Sequence, residues 1–194
     1  MLYSNLFIVS KKKREIDWKE INAKLPVGKS PEAEEECLKL FQKFDVNENG
    51  IISYNEVSKG IRDVLQICEI FDAKSAIHQA FTIAKNSQKS KRGSRGDEYV
   101  EIEEFKLLLL ALRQYFEYWE AFVRVDENAD KRISLDEFRA NDCVVHAWVG
   151  EFDLDKEFSN MDLDNDGYII FKDFCDWAIL KSLDLDDDED LIEM

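Results

Sequence analysis

Residues 162–173 run Asp162-Leu163-Asp164-Asn165-Asp166-Gly167-Tyr168-Ile169-Ile170-Phe171-Lys172-Asp173, and this stretch limits the fold more than any other. Three aspartates alternate with other residues, a glycine follows, and a fourth carboxylate closes the segment. Side-chain oxygens at alternate places on a tight loop converge on one point, and glycine at the sixth place permits the sharp turn. A hard divalent cation takes such a shell, with ligands at places 1, 3, 5, 7 (a backbone carbonyl), 9 (often through water) and 12. Here those are Asp162, Asp164, Asp166, the Tyr168 carbonyl, the weak place held by Ile170, and Asp173. A merely solvated acidic turn rarely has a helical apolar run on each side. This one has Leu154, Phe158 and Met161 within 152–161 before it, and Phe174, Trp177, Ala178 and Leu180 after it.

The same grammar recurs at residues 45–56, where Asp45, Asn47, Asn49, the Ile51 carbonyl, Ser53 and Glu56 take the ligand places. Only Asp45 and Glu56 are charged there, which predicts a lower affinity, since ligand charge is one of the terms that sets it. Residues 126–137 offer Asp126, Asn128, Asp130, the Arg132 carbonyl, Ser134 and Glu137. Lys131 replaces the usual glycine, and a left-handed backbone with a side chain costs about 1 kcal/mol, which three carboxylates around a divalent ion offset. A further repeat ends in Tyr99-Val100-Glu101-Ile102-Glu103-Glu104-Phe105, with Val100 aligned to Ile52 and Glu104 to Glu56. Its first place falls on Gly93 and its third on Arg95, so it lacks the carboxylates and carries a repelling charge. It is expected to be metal-free and to brace the first loop through a short strand contact between Ile52 and Val100.

The eighth places, Ile52, Val100, Ile133 and Ile169, are all β-branched, and the residues after the loops, Val57, Phe105, Phe138 and Phe174, are all apolar. Four repeats of apolar helix, twelve-residue loop and apolar helix define EF-hands. The expected fold is all-α, with four EF-hands in two paired lobes, each pair joined by a short antiparallel two-stranded contact between loops. The expected divisions are an N-terminal extension (1–30), an N-terminal pair (31–113), a C-terminal pair (114–182) and an acidic tail (183–194).

Between the loops, Trp18, Ile21 and Leu25 have helical spacing, which Pro26 and Gly28 end. Ser30 with Pro31 predicts a helix start, leading into an apolar face of Leu38, Phe41 and Phe44. Residues 57–65 continue as an outgoing helix with Val57, Ile61, Val64 and Leu65, and residues 73–84 read as an incoming helix with Ile77, Phe81 and Ile83. Residues 85–96 are basic, polar and glycine-bearing, the composition of an exposed loop. Residues 105–125 approach the length of a membrane span, but Lys106, Arg113, Glu117, Glu120 and Arg124 recur within them. Two buried helices are predicted instead, over 107–112 and 115–125.

The formal net charge of −16 excludes nucleic acid as the main partner, since phosphate binding needs a basic face. Cys37, Cys68, Cys143 and Cys175 are far apart, the pattern of reduced thiols, and neither His78 nor His146 has a partner at metal-ligand spacing. Residues 2–9 are apolar and precede Lys11-Lys12-Lys13-Arg14, the reverse of a secretory signal. That order suits peripheral contact with an anionic membrane surface. No nucleophile–base pair or phosphate loop is present, so no enzyme is expected.

The chain resembles the calflagins, the flagellar calcium-binding proteins, over residues 15–185. The matching pieces are Leu40-Phe41-Gln42-Lys43-Phe44-Asp45, the enlarged basic loop before residues 99–105, and the aromatic run Tyr115-Phe116-Glu117. The resemblance implies a compact four-hand calcium sensor associated with a flagellar or ciliary membrane. That family carries a myristoylated glycine and a nearby palmitoylated cysteine at its N-terminus. This chain begins Met1-Leu2-Tyr3 and its first cysteine is Cys37, so acyl anchoring is not part of the expectation.

The leading expectation is a cytoplasmic, non-secreted calcium sensor that engages a target helix or a membrane. The alternative is a calcium/magnesium buffer that opens little. Asp173 supports the buffer, being one methylene shorter than the usual glutamate and so tilted towards magnesium or weaker calcium. The scarcity of methionine supports it too, with only Met1, Met161 and Met194 present.

Overall fold

The structure is a computed structural model that describes residues 16–87 and 98–183. The N-terminal patch at 2–14, the basic stretch from 88 with Gly93 and Arg95, and the acidic run at 184–190 lie outside the described residues.

Helix α1 (Trp18–Lys24) starts where the Asp17 carboxylate accepts from Glu20 N at 2.8 Å. Helix α2 (Pro31–Phe44) starts at Ser30, whose hydroxyl accepts from Ala33 N, with Pro31 in the first turn where its missing N–H costs nothing. After the first loop come β1 (Ile52–Ser53) and α3 (Tyr54–Lys59), which widens into a π-helical turn over Gly60–Leu65. Gly60 lies against the ring of Phe44, so that a Cβ there would meet ring carbons at 2.5 Å; the missing side chain lets the outgoing helix close on the incoming one. Helices α4 (Cys68–Asp72) and α5 (Lys74–Asn86) lead to β2 (Tyr99–Val100).

Helix α6 spans Ile102–Val125 without a break, where two helices over 107–112 and 115–125 are expected. Its 24 residues contain no glycine or proline. The Arg113–Glu117 ion pair at 2.7 Å, one turn apart, bridges the point of the expected gap. The expected boundary between 113 and 114 falls inside this helix, which is both the outgoing helix of the second hand and the incoming helix of the third. The rest follows as β3 (Arg132–Ser134), α7 (Leu135–Ala140), α8 (Asp142–Val149), α9 (Leu154–Met161), β4 (Tyr168–Ile170) and α10 (Phe171–Lys181).

Two antiparallel contacts brace the hands, as expected. Ile52 pairs with Val100 and Ser53 with Tyr99; Arg132 pairs with Ile170, Ile133 with Ile169 and Ser134 with Tyr168. All four eighth-place residues are fully buried, so each contact also closes the top of a core. Phe105 at one end of α6 meets Phe41 and Phe44 edge-on at 5.4 and 5.3 Å, and Phe122 near the other end meets Phe171 and Phe174 edge-on, both at 5.6 Å. One continuous apolar cluster joins these ends, from Ile16 to Leu183.

Three residues expected on apolar faces are exposed: Leu38, Ile83 and Leu180. Helical rotation explains each. The inner stripe of α2 is Cys37, Leu40, Phe41 and Phe44; that of α5 is Ala76, Ile77, Ala80, Phe81 and Ala84; that of α10 includes Phe174, Cys175, Trp177 and Ala178. Leu38, Ile83 and Leu180 each stand off those stripes by a fraction of a turn.

Candidate metal centres

Each of the three acidic loops begins where an incoming helix ends. Asp45, Asp126 and Asp162 are the C-terminal caps of α2, α6 and α9, and all three are buried. Each spreads its two carboxylate oxygens over the turn. In the first loop Asp45 accepts from Asn49 N at 3.1 Å and Gly50 N at 2.8 Å. Asp126 accepts from Asp130 N at 3.2 Å and Lys131 N at 3.0 Å, and Asp162 from Asp166 N at 3.1 Å and Gly167 N at 3.0 Å.

The third and fifth places follow the same rule. Asn47 accepts from Asn49 N, Asn128 from Asp130 N and Asp164 from Asp166 N. Asn49, Asp130 and Asp166 accept from the seventh-place N–H groups of Ile51, Arg132 and Tyr168 at 3.0, 2.9 and 2.9 Å. These bonds curl the backbone of the three loops in the same way. In the last loop, carboxylate oxygens of Asp162, Asp164 and Asp166 all lie within 4.8 Å of one another.

The twelfth place differs between loops. Glu56 accepts from Ser53 N at 2.9 Å and Ser53 Oγ at 2.7 Å with one oxygen, and from Asn47 Nδ2 at 2.7 Å with the other. Glu137 accepts from Ser134 N, Ser134 Oγ and, across the loop, Asn128 N at 3.3 Å. Both glutamates thus span from the ninth place to the third. Asp173 has a shorter arm and accepts from Ile170 N at 3.2 Å, three residues back on its own turn.

The donors are hard oxygens throughout, which fits a calcium- or magnesium-sized cation rather than a soft metal. Electrostatics point the same way. Burial pushes the Asp126 carboxyl above the usual aspartate range, and Asp130 adds to the push, against the pull of the Lys131, Ala129 and Asp130 N–H groups. Burial also raises Asp173, with Asp164 and Asp176 adding repulsion and the Ile170 N–H and Lys172 opposing it. A carboxylate whose charge is disfavoured by its surroundings gains most from a nearby cation.

Lys131 takes φ 69°, matching Gly50 at 79° and Gly167 at 85° in the sixth places of the other loops. Lys131→Gly is expected to raise stability by at most about 0.5 kcal/mol, the relief of a left-handed side chain less the extra chain entropy of glycine. That is a rise of at most about 2 °C in Tm for a chain of this size. A fall in Tm would show that the lysine side chain contributes more than its backbone costs.

In the second hand Glu104 occupies the twelfth place, is buried, and accepts from Glu101 N at 3.1 Å. The first and third places, Gly93 and Arg95, lie outside the described residues. Among features with no obvious sequence signal, Glu157 on α9 accepts from Trp177 Nε1 at 2.9 Å and pairs with Lys181 at 2.7 Å, both on α10. Burial works against its charge, but Lys181 and Trp177 together hold its carboxyl below the usual range. A spacing of 20 residues carries no periodic mark.

Two helix–loop–helix pairs, each joined through a two-stranded contact between loops, give this chain the EF-hand fold. Residues 21–112 match the family model for the FCaBP EF-hand domain. The chain is 29% identical over 175 residues to the flagellar calcium-binding protein of Trypanosoma cruzi, a match that covers 89% of this chain and 83% of that one. It is 27% identical over 179 residues to flagellar calcium-binding protein TB-17 of Trypanosoma brucei brucei, covering 91% and 77%. The resemblance to the flagellar calcium-binding proteins, the calflagins, therefore runs along nearly the whole chain. Among solved structures, a homolog of programmed cell death 6 protein from Leishmania major Friedlin aligns with 83% of this chain and 80% of that one, at 16% identity and a TM-score of 0.39. A superposition that loose says nothing further about this chain.

Proposed function

We propose that this chain is a calcium sensor with three metal-holding loops and one bracing loop. The observation that carries the reading is the shared wiring of residues 45–56, 126–137 and 162–173, in which each buried first-place aspartate accepts from the amides of the fifth and sixth places. Asp45, Asn47, Asn49, Ser53 and Glu56 with the Ile51 carbonyl would hold the first ion. Asp126, Asn128, Asp130, Ser134 and Glu137 with the Arg132 carbonyl would hold the second. Asp162, Asp164, Asp166 and Asp173 with the Tyr168 carbonyl would hold the third. Calcium, when bound, supplies the positive charge that lets such carboxylates crowd together.

Glu56 and Glu137 each sit in the first turn of an outgoing helix. A shift of either carboxylate towards its loop centre turns α3 or α7 with it, which is the motion a sensor uses to uncover apolar surface for a target helix. The names of the relatives support a place in the flagellum, and Lys11 to Arg14 support peripheral contact with an anionic membrane. A tagged chain spread through the cell body would overturn the flagellar placement.

The fourth hand favours a second reading for itself. The Glu157 bonds to Trp177 and Lys181 tie its incoming helix to its outgoing one, and Asp173 supplies a short twelfth ligand. Both features suit a hand that takes magnesium or calcium and opens little.

A calcium-binding isotherm, read together with retention on a hydrophobic resin, tests the proposal. Three sites with calcium-dependent retention are expected, with magnesium competing first at residues 162–173. Three sites without retention would make the chain a buffer, and no uptake at millimolar calcium would overturn both readings.

A further inference from the structure

Helix α9, the incoming helix of the fourth hand, is gripped from both sides by charge. On one side Arg139 of α7 donates two parallel bonds to Asp155, Nε to Oδ1 at 2.8 Å and Nη2 to Oδ2 at 2.6 Å. On the other, Glu157 takes the Lys181 ammonium at 2.7 Å and the Trp177 Nε1–H at 2.9 Å, both from α10. Lys181 also lies 5.5 Å over the ring of Phe152, just ahead of α9. The apolar core inside these bonds is shut. Phe138, beside Arg139 in the chain, meets Phe158 at 5.9 Å, and Phe138, Phe158, Phe174 and Trp177 are all buried.

Each tether holds an outgoing helix that also carries a twelfth-place carboxylate. Arg139 follows Glu137 on α7, and Lys181 shares α10 with Asp173. Movement of either carboxylate towards an ion turns its helix relative to α9, across the bond that joins the two. An isolated surface ion pair opposes such a movement weakly, because water screens it and two flexible side chains must be held still. These tethers are stronger than that for two reasons. Arg139 and Asp155 are about half exposed, but their fork fixes orientation as well as distance, and the guanidinium holds the Asp155 carboxyl below the usual aspartate range. The Glu157 side chain is only 14% exposed, so its charge depends on Lys181 and Trp177.

We propose that Arg139–Asp155 and Lys181–Glu157 form an ionic latch across the C-terminal pair, and that the latch sets the calcium concentration at which this pair uncovers its core. This latch presupposes the calcium-sensor reading and adds its regulation: the four residues position helices and take no ligand place. Because α9 is common to both bonds, neither outgoing helix leaves it freely, and the two hands open as one unit. Opening breaks both bonds, so part of the binding free energy of calcium is taken up in breaking them and the midpoint of opening moves to higher calcium.

Arg139→Gln and Lys181→Gln, both outside the oxygen shells, are read by the fluorescence of an apolar dye against free calcium. Each is expected to lower the calcium midpoint about 2–5-fold, and the double variant up to about 25-fold. An unchanged midpoint in the double variant would overturn the latch. Arg139→Glu alone is expected to lower the midpoint, and Arg139→Glu with Asp155→Arg to bring it back towards that of the unaltered chain. Exchanged charges restore an ion pair but not a packing role, so no recovery would overturn the latch. A second measurement needs no calcium. In chelator, amide exchange of residues 154–161 is expected to be at least about 4-fold faster in the double Gln variant, with residues 31–44 unchanged. Equal exchange, or the same rise in both helices, would overturn the latch. Added salt is expected to narrow the gap between variant and unaltered chain; a gap that salt does not move would overturn its ionic character. Calcium sites are counted on the same samples. Three sites with an unmoved midpoint remove the latch alone; no uptake removes the sensor reading, and exchange in chelator still decides the latch.

Discussion

Asp126→Asn is expected to abolish calcium uptake at the third hand, lowering that loop's affinity by at least about 100-fold, near 3 kcal/mol. The isotherm then shows two sites in place of three. Asp126 accepts from two backbone amides and stands at the first ligand place, so its charge serves the ion at the point where the turn is already closed. In chelator at neutral pH only a small change in stability is expected from the same substitution, because relief of a disfavoured charge is opposed by loss of an acceptor for one backbone N–H. The first effect follows from the raised pKa of Asp126. A carboxyl whose folded-state pKa lies above its unfolded one contributes stability below the unfolded pKa and loses it as pH rises through the folded pKa. At pH 7 the ionised group is therefore an unfavourable one; the amide removes that penalty, but its Nδ2 faces a backbone N–H that an oxygen accepted from before. Asp45→Asn, Asp126→Asn and Asp162→Asn together are expected to leave no uptake at millimolar calcium. Three sites remaining in the single variant would sink the assignment of the third loop.

Phe122→Ala is expected to cost about 3–5 kcal/mol, the range for deleting a fully buried aromatic ring. For a chain of this length that is a fall of about 6–20 °C in Tm. Phe122 has no exposed surface and touches Phe171 and Phe174 edge-on and Trp119 in a stack at 6.0 Å. Its loss opens a hole where the incoming helix of the third hand meets the outgoing helix of the fourth. Leu180→Ala is the control: that side chain is 83% exposed, and a change within about 0.5 kcal/mol is expected. Thermal unfolding followed by circular dichroism measures both, and a Phe122→Ala cost below about 1 kcal/mol would show that the aromatic cluster does not carry the C-terminal core.

The places of the three turns were legible because oxygen side chains recur there at set intervals, and those side chains accept the amides that close each turn. The pairing of Ile52 with Val100 and of Ile133 with Ile169 was legible because a buried strand contact demands β-branched residues at one repeated place. Helix α6 was misread for a physical reason. The four-hand grammar gives each hand its own two helices, and no repeated position falls between 112 and 115 to say whether a turn intervenes or the helix runs on. The absence of glycine and proline there was the available signal. The short helices α4 and α8 lie between hands, where the repeat makes no demand. Leu38, Ile83 and Leu180 show the limit of spacing alone, because a hydrophobic residue beside a stripe looks like part of it until the neighbouring helix is in place. The Glu157 clamp and the seating of Trp18 on Phe116 are tertiary contacts, and no local pattern announces them.

The unbroken run of α6 has a mechanical consequence. At 1.5 Å per residue its 24 residues form a shaft about 36 Å long, gripped by Phe41 and Phe44 at one end and by Phe171 and Phe174 at the other. A stiff rod cannot tilt at one bearing and stay still at the other. A tilt of about 10° about either end sweeps the opposite end through about 6 Å, by simple leverage on that length. The second hand is then the far bearing of the third: a tilt of α6 at Asp126 would reach Val100 and, through its strand partner Ile52, the first loop.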